Sequence, residues 1–346
     1  TMDVYRESLA QLTPDFYGEH QAELIRSSQR FTQILASQGG FGSESGLGAS
    51  YRGYTAVSAG TAGSGDTGAS GSGSQGEGYV SATGSDYRYI GESTSFWLQA
   101  DMENSKHQAN GDYKEVDHSL NRLSMGLNAI LDSSWALGMG FAHEENTANG
   151  YDGHWESRGT TNHLGVSLIR RYGATDIGFI QSYSWNELDV TRRGAVAYPF
   201  TATAQRSLQS YSGILRLSRI MDIGNPYLTA TIDLGYNNLS VDDTEETGGA
   251  GTSLTLRSNS ELQSFLRPSV VTGFQQVLES GATLHWHANF AMQHYLSGGE
   301  TNVIAGFAAV TNGVDPMQVP IDLGGAYFEG SVGLDLLTRE KVSFGI

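Results

Sequence analysis

The chain of 346 residues contains no cysteine, which excludes a disulfide framework, thiolate metal sites and cysteine nucleophiles. It has only 6 prolines. Basic residues are few, with 20 Lys and Arg against 37 Asp and Glu, for a formal charge of −17. So acidic a chain is not built to neutralise phosphates, and nucleic acid is excluded as a partner. No apolar run approaches the roughly 18 residues of a membrane-spanning helix, and "WALGMGFA" and "VIAGFAAV" are less than half as long. The opening "TMDVYRESLAQLTPDF" does not read as a secretory signal. None of these absences excludes a β-barrel, whose two-residue alternation is invisible to a hydropathy window.

Glycine, at 45 residues, is abundant. Much of it falls between 39 and 85, where "GSGDTGASGSGSQGEG" offers too little apolar surface to pack and reads as a flexible segment extending to about residue 92. Before it, residues 13–36, "TPDFYGEHQAELIRSSQRFTQILA", form the one convincing helix. Thr13 suits the N-cap, Pro14 the first helical position and Asp15 the positive helix end, and Gly39-Gly40 stops it. Leu24, Phe31 and Leu35 share a stripe, and most of the remaining surface is polar.

From residue 93 the period becomes two. In "NRLSMGLNAIL", Leu123, Met125 and Leu127 oppose Arg122, Ser124, Gly126 and Asn128. In "SSWALGMGFAHEEN" the large residues Trp135, Leu137, Met139 and Phe141 alternate with Ala136, Gly138, Gly140 and Ala142, so one face is greasy and the other almost bare. Ten such strands and the start of an eleventh can be counted, each around ten residues or more, where globular strands average five or six. Connections alternate between short turns ("LDSS", "RRYGAT") and long polar ones ("ENTANGYDGHWESRG", "DDTEETGGAGTSLTLRSNS"), while "TNVIAGFAAVTNG" reads equally as loop or strand. The expectation is an all-β protein: a transmembrane antiparallel β-barrel over residues 93–346, apolar side chains to lipid and a Gly-lined lumen wall that admits another element closely. The helix is the expected occupant.

A long barrel behind one amphipathic helix resembles the C-terminal translocator domain of type V autotransporters. "LAQLTPDFYGEHQAELIRSSQRFTQIL", with its Arg30-Phe31 pair, is similar to the family's pre-barrel segment. "FWLQAD" at 96–101 resembles its first strand, "RPSVVTGFQQ" at 267–276 its Arg-Pro strand and "YFEGSVGLDLL" at 327–337 a late strand. The resemblance implies a monomeric barrel of about twelve strands in the bacterial outer membrane, with residues 1–38 as linker and pore-plugging helix. It also implies a secreted passenger upstream of Thr1, help from the barrel assembly machinery, no cofactor and no catalysis. "EKVSFGI" departs from the aromatic-ended last strand of the family, so strand residues beyond Ile346 are expected. The alternative is a general diffusion pore plugged by the same helix.

The residues expected to line the lumen on the helix are Phe16, Glu19, Glu23, Leu24, Arg26, Arg30, Phe31 and Leu35. On the barrel wall they are Arg122, Asp176, Arg216, Asp233, Arg267, His285, His287, Glu329 and Asp335. Two roles compete evenly for these wall charges: clamping the helix through Glu19, Glu23, Arg26 and Arg30, or pairing among themselves. "HWH" at 285–287 has the two-residue spacing of metal ligands on one strand face but lacks a readable third ligand, so it is read as polar lumen lining and no metal is expected. Asn237-Asn238 resembles the dipeptide at which some family members cut themselves, but it ends a strand and does not lie in the helix. Tyr183, Trp185, Tyr211, Tyr227, Tyr236, Trp286 and Tyr295 are expected as interfacial girdle.

Overall fold

Twelve strands alternate along the chain and close into one antiparallel ring. The computed structural model describes residues 13–38, 78–89, 94–107, 116–150, 153–194, 199–221, 226–249, 251–309, 315–323, 326–337 and 342–345. One helix, α1 (Asp15–Gln38), is followed by β1 (Gly78–Tyr89), β2 (Thr94–His107), β3 (Val116–Ile130), β4 (Trp135–Gly150), β5 (Trp155–Tyr172), β6 (Thr175–Gly194), β7 (Phe200–Met221) and β8 (Tyr227–Val241). The rest are β9 (Thr244–Glu245), β10 (Leu254–Leu256), β11 (Asn259–Val277), β12 (Thr283–Ser297), β13 (Glu300–Phe307), β14 (Met317–Asp322), β15 (Ala326–Leu337) and β16 (Val342–Gly345). The barrel order is β1-β16-β15-β12-β11-β8-β7-β6-β5-β4-β3-β2.

Alternation sets which side of each strand is buried. On β3, Leu123, Met125 and Leu127 are exposed outward while Arg122, Ser124, Gly126 and Asn128 are buried. The same rule turns Leu137, Met139 and Phe141 of β4 outward and its Gly and Ala residues inward. An apolar outer belt over a polar interior inverts the water-soluble pattern and suits a bilayer.

Short turns mark one end of the barrel. In the β3–β4 turn Asp132 Oδ1 accepts from the backbone N–H of Ser134 (2.7 Å), its hydroxyl (2.8 Å) and the N–H of Trp135 (2.9 Å). These bonds, the Ser134 backbone bond first, hold the Asp132 carboxyl below its usual range. At the loop end the strands overrun the membrane. β7 has 22 residues, where roughly 9–11 suffice to cross. Outward residues on β7 are apolar at Leu215, Leu217 and Met221, with Arg219 between the last two, but polar from Thr201 to Gln209.

Several elements differ from their sequence-based expectation. Residues 78–89, read as flexible because of the Gly/Ser-rich neighbourhood, form β1, which pairs with β2 along its length and with β16 at Ser85–Arg88. These two strands raise the ring from the ten counted to twelve. Residues 39–77 and Gly39-Gly40 lie outside the described residues. "ENTANGYDGHWESRG" is mostly strand, since β4 and β5 keep pairing out to Gly150 and Trp155. The ambiguous "TNVIAGFAAVTNG" begins as β13, which leaves the barrel for a second sheet of order β14-β13-β10-β9. That sheet is built from the two long connections after β8 and β12, and its Leu254, Leu256, Val303, Ala305 and Ile321 join the same buried cluster as α1. It caps the loop end.

The helix occupies the lumen. Of its 24 residues, Glu23, Arg26, Arg30 and Ser37 alone are not fully buried. At 1.5 Å per residue it is about 36 Å long, enough to run from end to end. Its C-terminus lies at the turn end, where the Asn128 amide donates to Gln38 O at 2.7 Å. Its N-terminal residue Phe16 meets Trp155 at the loop end, ring centroids 5.0 Å apart. Thr13 Oγ1 donates to Asp15 Oδ1 at 2.7 Å at the start of the helix.

The bare wall of β4 and β5 is where the helix comes closest. A Cβ on Gly140 would stand 2.6 Å from Leu35 Cδ2, and one on Gly165 would overlap Leu35 Cδ1. Gly165→Val should therefore destabilise helix seating by about 1–3 kcal/mol, the usual range for overpacking. Protease protection of residues 15–38 in the folded barrel measures this, and unchanged protection would remove the slot as a seating device.

Candidate functional site

The site is the polar contact surface between α1 and the barrel wall. It has three parts, taken here from the middle of the helix outward.

At mid-lumen, β3, β4 and β5 bring Arg122, Glu144 and His163 to the helix, each on an inward parity position. Arg122 donates to Glu144 Oε2 from Nε (3.0 Å) and Nη2 (2.7 Å), and from Nη2 to Ser27 Oγ (2.9 Å). Ser27 in turn donates to Glu144 Oε2 at 2.6 Å. His163 Nε2 stands 3.3 Å from Ser27 Oγ and 3.4 Å from Glu144, while its Nδ1 is 2.7 Å from Ser184 Oγ. Arg122 and Glu144 are fully buried, so their charges are matched against each other rather than against water. Beside them His20, Glu23, Leu24, His118 and Asn186 line a cavity of about 20 Å³, room for a water.

At the loop end the helix meets the cap. Tyr17 Oη donates to Glu246 Oε1 at 2.9 Å, and Arg192 Nε donates to the same oxygen at 3.0 Å. Leu254 N donates to Glu246 Oε2 at 2.8 Å, tying the cap strand β10 to the pair. Arg206 Nη1 donates to Tyr17 O at 2.6 Å, and Thr301 Oγ1 lies 2.7 Å from the Gln21 amide. Toward the turn end Thr32 meets Ser182 at 2.6 Å, Gln293 donates to Gln29 at 3.0 Å, and Arg30 pairs with Glu103 of β2.

Of the expected helix residues, Phe16, Glu19, Leu24, Phe31 and Leu35 are buried in the lumen. Phe31 packs on His163 with ring centroids 5.0 Å apart. Glu23 and Arg26 pair with each other at 3.6 Å, and Arg30 meets Glu103. Of the wall residues, Arg122 reaches the helix through Ser27. Arg216 and Asp233 pair at 2.7 Å, and Arg267 joins Asp233 (3.7 Å) and Glu329. Asp176 pairs with Arg171 at 2.8 Å beside a turn. These two wall clusters, one linked through Asp233 and one at Asp176, tie strand to strand. His285 Nε2 is 2.7 Å from Tyr227 Oη, and its ring stacks on His287 at 5.4 Å. Among the described residues no group of three metal-ligating side chains is assembled. Asn237 donates to Ser210 (2.8 Å) and Ser212 (2.6 Å), holding it to the wall of β7. The side chain of Asp335 lies outside the described residues.

Two girdle assignments are corrected. Tyr227 and Tyr295 are buried inward, because each shares its parity with polar wall residues (Thr229 and Asp233, or Asn289 and Gln293) and not with the lipid-facing set. Five functional residues went unread: Glu103, Glu144, Arg192, Arg206 and Glu246. Parity counted on from Gly138, Gly140 and Ala142 would have found Glu144, but Glu246 sits in a connection whose course no period announces.

Arg122→Gln would leave Glu144 buried and uncompensated, and should weaken the fold by about 3–5 kcal/mol. Amide exchange at Ser27–Phe31 should rise in that variant. Arg216→Gln should instead destabilise the β7–β8 pairing and leave helix exchange unchanged. Equal helix exchange in both variants would show that Arg122 does not hold the helix.

The sequence model of the Autotransporter beta-domain matches residues 96–346. Among solved structures, the translocator domain of the autotransporter NalP from Neisseria meningitidis aligns with a TM-score of 0.53 at 11% identity, over 96% of this chain and 99% of that one. The beta domain of the Bordetella autotransporter BrkA aligns with a TM-score of 0.43 at 13% identity, over 72% of this chain and 98% of that one. No curated protein sequence matches the chain.

Proposed function

The chain belongs to the autotransporter beta-domain family, and from that premise we propose how this barrel holds its helix once export is done. It is an outer-membrane translocator domain, and its partners are the surrounding lipid and a passenger. In our reading α1 is the plug that remains in the lumen. The observation that carries this is the near-complete burial of a polar helix inside the ring.

Outer-membrane barrels place short turns in the periplasm and long loops outside. The N-terminal end of α1 lies at the loop end, so the helix points its N-terminus toward the cell surface. That is the direction a displayed passenger requires. The Tyr17–Glu246–Arg192 contacts fasten this exit, and the Ser27 cluster fixes the depth of the helix. The reading includes a monomeric barrel, since every strand finds its partners within one chain. It also includes insertion by the barrel assembly machinery, which a closed sheet of this size calls for. No catalytic step is included in the reading, in which Ser27 donates to Glu144 and accepts from Arg122 as a positioning contact.

Deleting residues 13–38 should turn a low, flickering single-channel current in planar bilayers into a large steady one, and should lower the temperature at which the barrel unfolds. Large steady current from both proteins would overturn the plug and favour the diffusion pore.

A further inference from the structure

We propose that the turn end of the β4–β7 wall carries a binding site for the phosphate of an anionic phospholipid, built around Arg170. Arg170 projects outward from β5, two residues below the lipid-facing Leu168 and beside the exposed Ile177 of β6. Its guanidinium lies over two rings at once, 5.0 Å from Trp135 and 4.4 Å from Tyr172. A guanidinium that lies over ring faces keeps its N–H edges available to a further acceptor. Those edges match two oxygens of a phosphodiester.

The charge balance at this spot runs against the rest of the molecule. The chain carries −17 overall, yet Arg170 has no carboxylate within ion-pair distance among the described residues. Asp132, which feels the charge of Arg170, spends Oδ1 on three bonds within its own turn. Arg219, outward on β7 opposite Thr175, adds a second exposed cation on the same face. By contrast the exposed Arg158 at the loop end already pairs with Glu156 at 2.9 Å. Two cations outside any close ion pair among the described residues, two interfacial aromatic rings and an apolar wall directly above describe a lipid headgroup with its acyl chains lying along Leu168 and Ile177. A free anion would need no such wall. The inference rests on the membrane reading of the outer belt, and on the turn end meeting the phospholipid leaflet.

The test is native mass spectrometry of the whole chain released from micelles doped with phosphatidylglycerol or phosphatidylethanolamine of the same acyl chains. This readout depends neither on export nor on the helix plug. Wild-type protein should retain phosphatidylglycerol about fivefold better, the ratio expected of one interfacial arginine. Arg170→Gln should bring the ratio close to one, Arg219→Gln should reduce it, and Arg158→Gln should leave it unchanged. Excess inorganic phosphate, set against chloride at matched ionic strength, should not displace the lipid. A wild-type ratio near one, or the same ratio in Arg170→Gln and wild type, would overturn the site. Displacement by inorganic phosphate would show a bare anion site and overturn the lipid assignment.

Discussion

A bilayer offers no water to an unpaired strand edge, and every other feature of this protein follows from that constraint. The sheet must close, so β1 and β16 pair and complete the ring. Closure creates an inside, and twelve strands enclose more room than their own side chains can fill. The inside must then be filled by something whose surface is polar enough to sit against Arg122, Glu144 and Ser182 and whose backbone is satisfied by itself. A helix meets both conditions. Its sequence, with Glu, Gln, Ser and Arg over much of its surface, would make a poor core helix in a water-soluble protein, and it suits a wet lumen.

The wall meets the helix with two kinds of surface. Along β4 and β5 the contact is steric, because the absence of side chains at Gly140 and Gly165 leaves the space Leu35 takes. At the Ser27 cluster and at Glu246 it is electrostatic, with buried ion pairs whose members belong to the wall and whose spare hydrogen-bonding capacity is met by helix hydroxyls. Ser27 and Tyr17 each bring a neutral group to a pre-formed Arg–Glu pair. At these two places the wall is charge-balanced on its own, whereas toward the turn end Arg30 of the helix brings the charge that Glu103 of β2 takes.

Parity made most of this arrangement readable from sequence. A strand with one lipid face cannot slip by a residue without placing its charges in the membrane, so Arg122, Asp233, Arg267 and His285 were fixed inward by their neighbours. Where the strands leave the bilayer that penalty ends and the signal fades. Glu144 and Arg192 stand beyond the apolar belt, where the outward residues are polar too, His143 and Glu145 beside the first and Asp189 and Thr191 beside the second. Glu103, on β2, stands one parity step beyond the recognised "FWLQAD", in a stretch equally polar on both sides. The cap is less legible still. Its strands are 2, 3, 8 and 6 residues long, and the pairing that joins its two halves sets Leu254 against Phe307 and Leu256 against Ala305, far apart in the chain, which local composition does not encode.

Buried ion pairs roughly break even against the water they displace, so the Arg122–Glu144 and Arg192–Glu246 pairs add little to the net affinity of wall for helix. Retention of the helix comes instead from the apolar residues it buries, among them Phe16, Tyr17, Leu24, Ile25, Phe31 and Leu35. Apolar burial has no preferred register, and a helix held by it alone could slide by a turn and bury a similar area. The directional bonds from Ser27 and Tyr17 remove that freedom, since a shift of one turn moves each hydroxyl about 5.4 Å from its carboxylate and leaves buried charges short of a donor. The polar network therefore sets where the helix stops, and the apolar contacts set how firmly it stays.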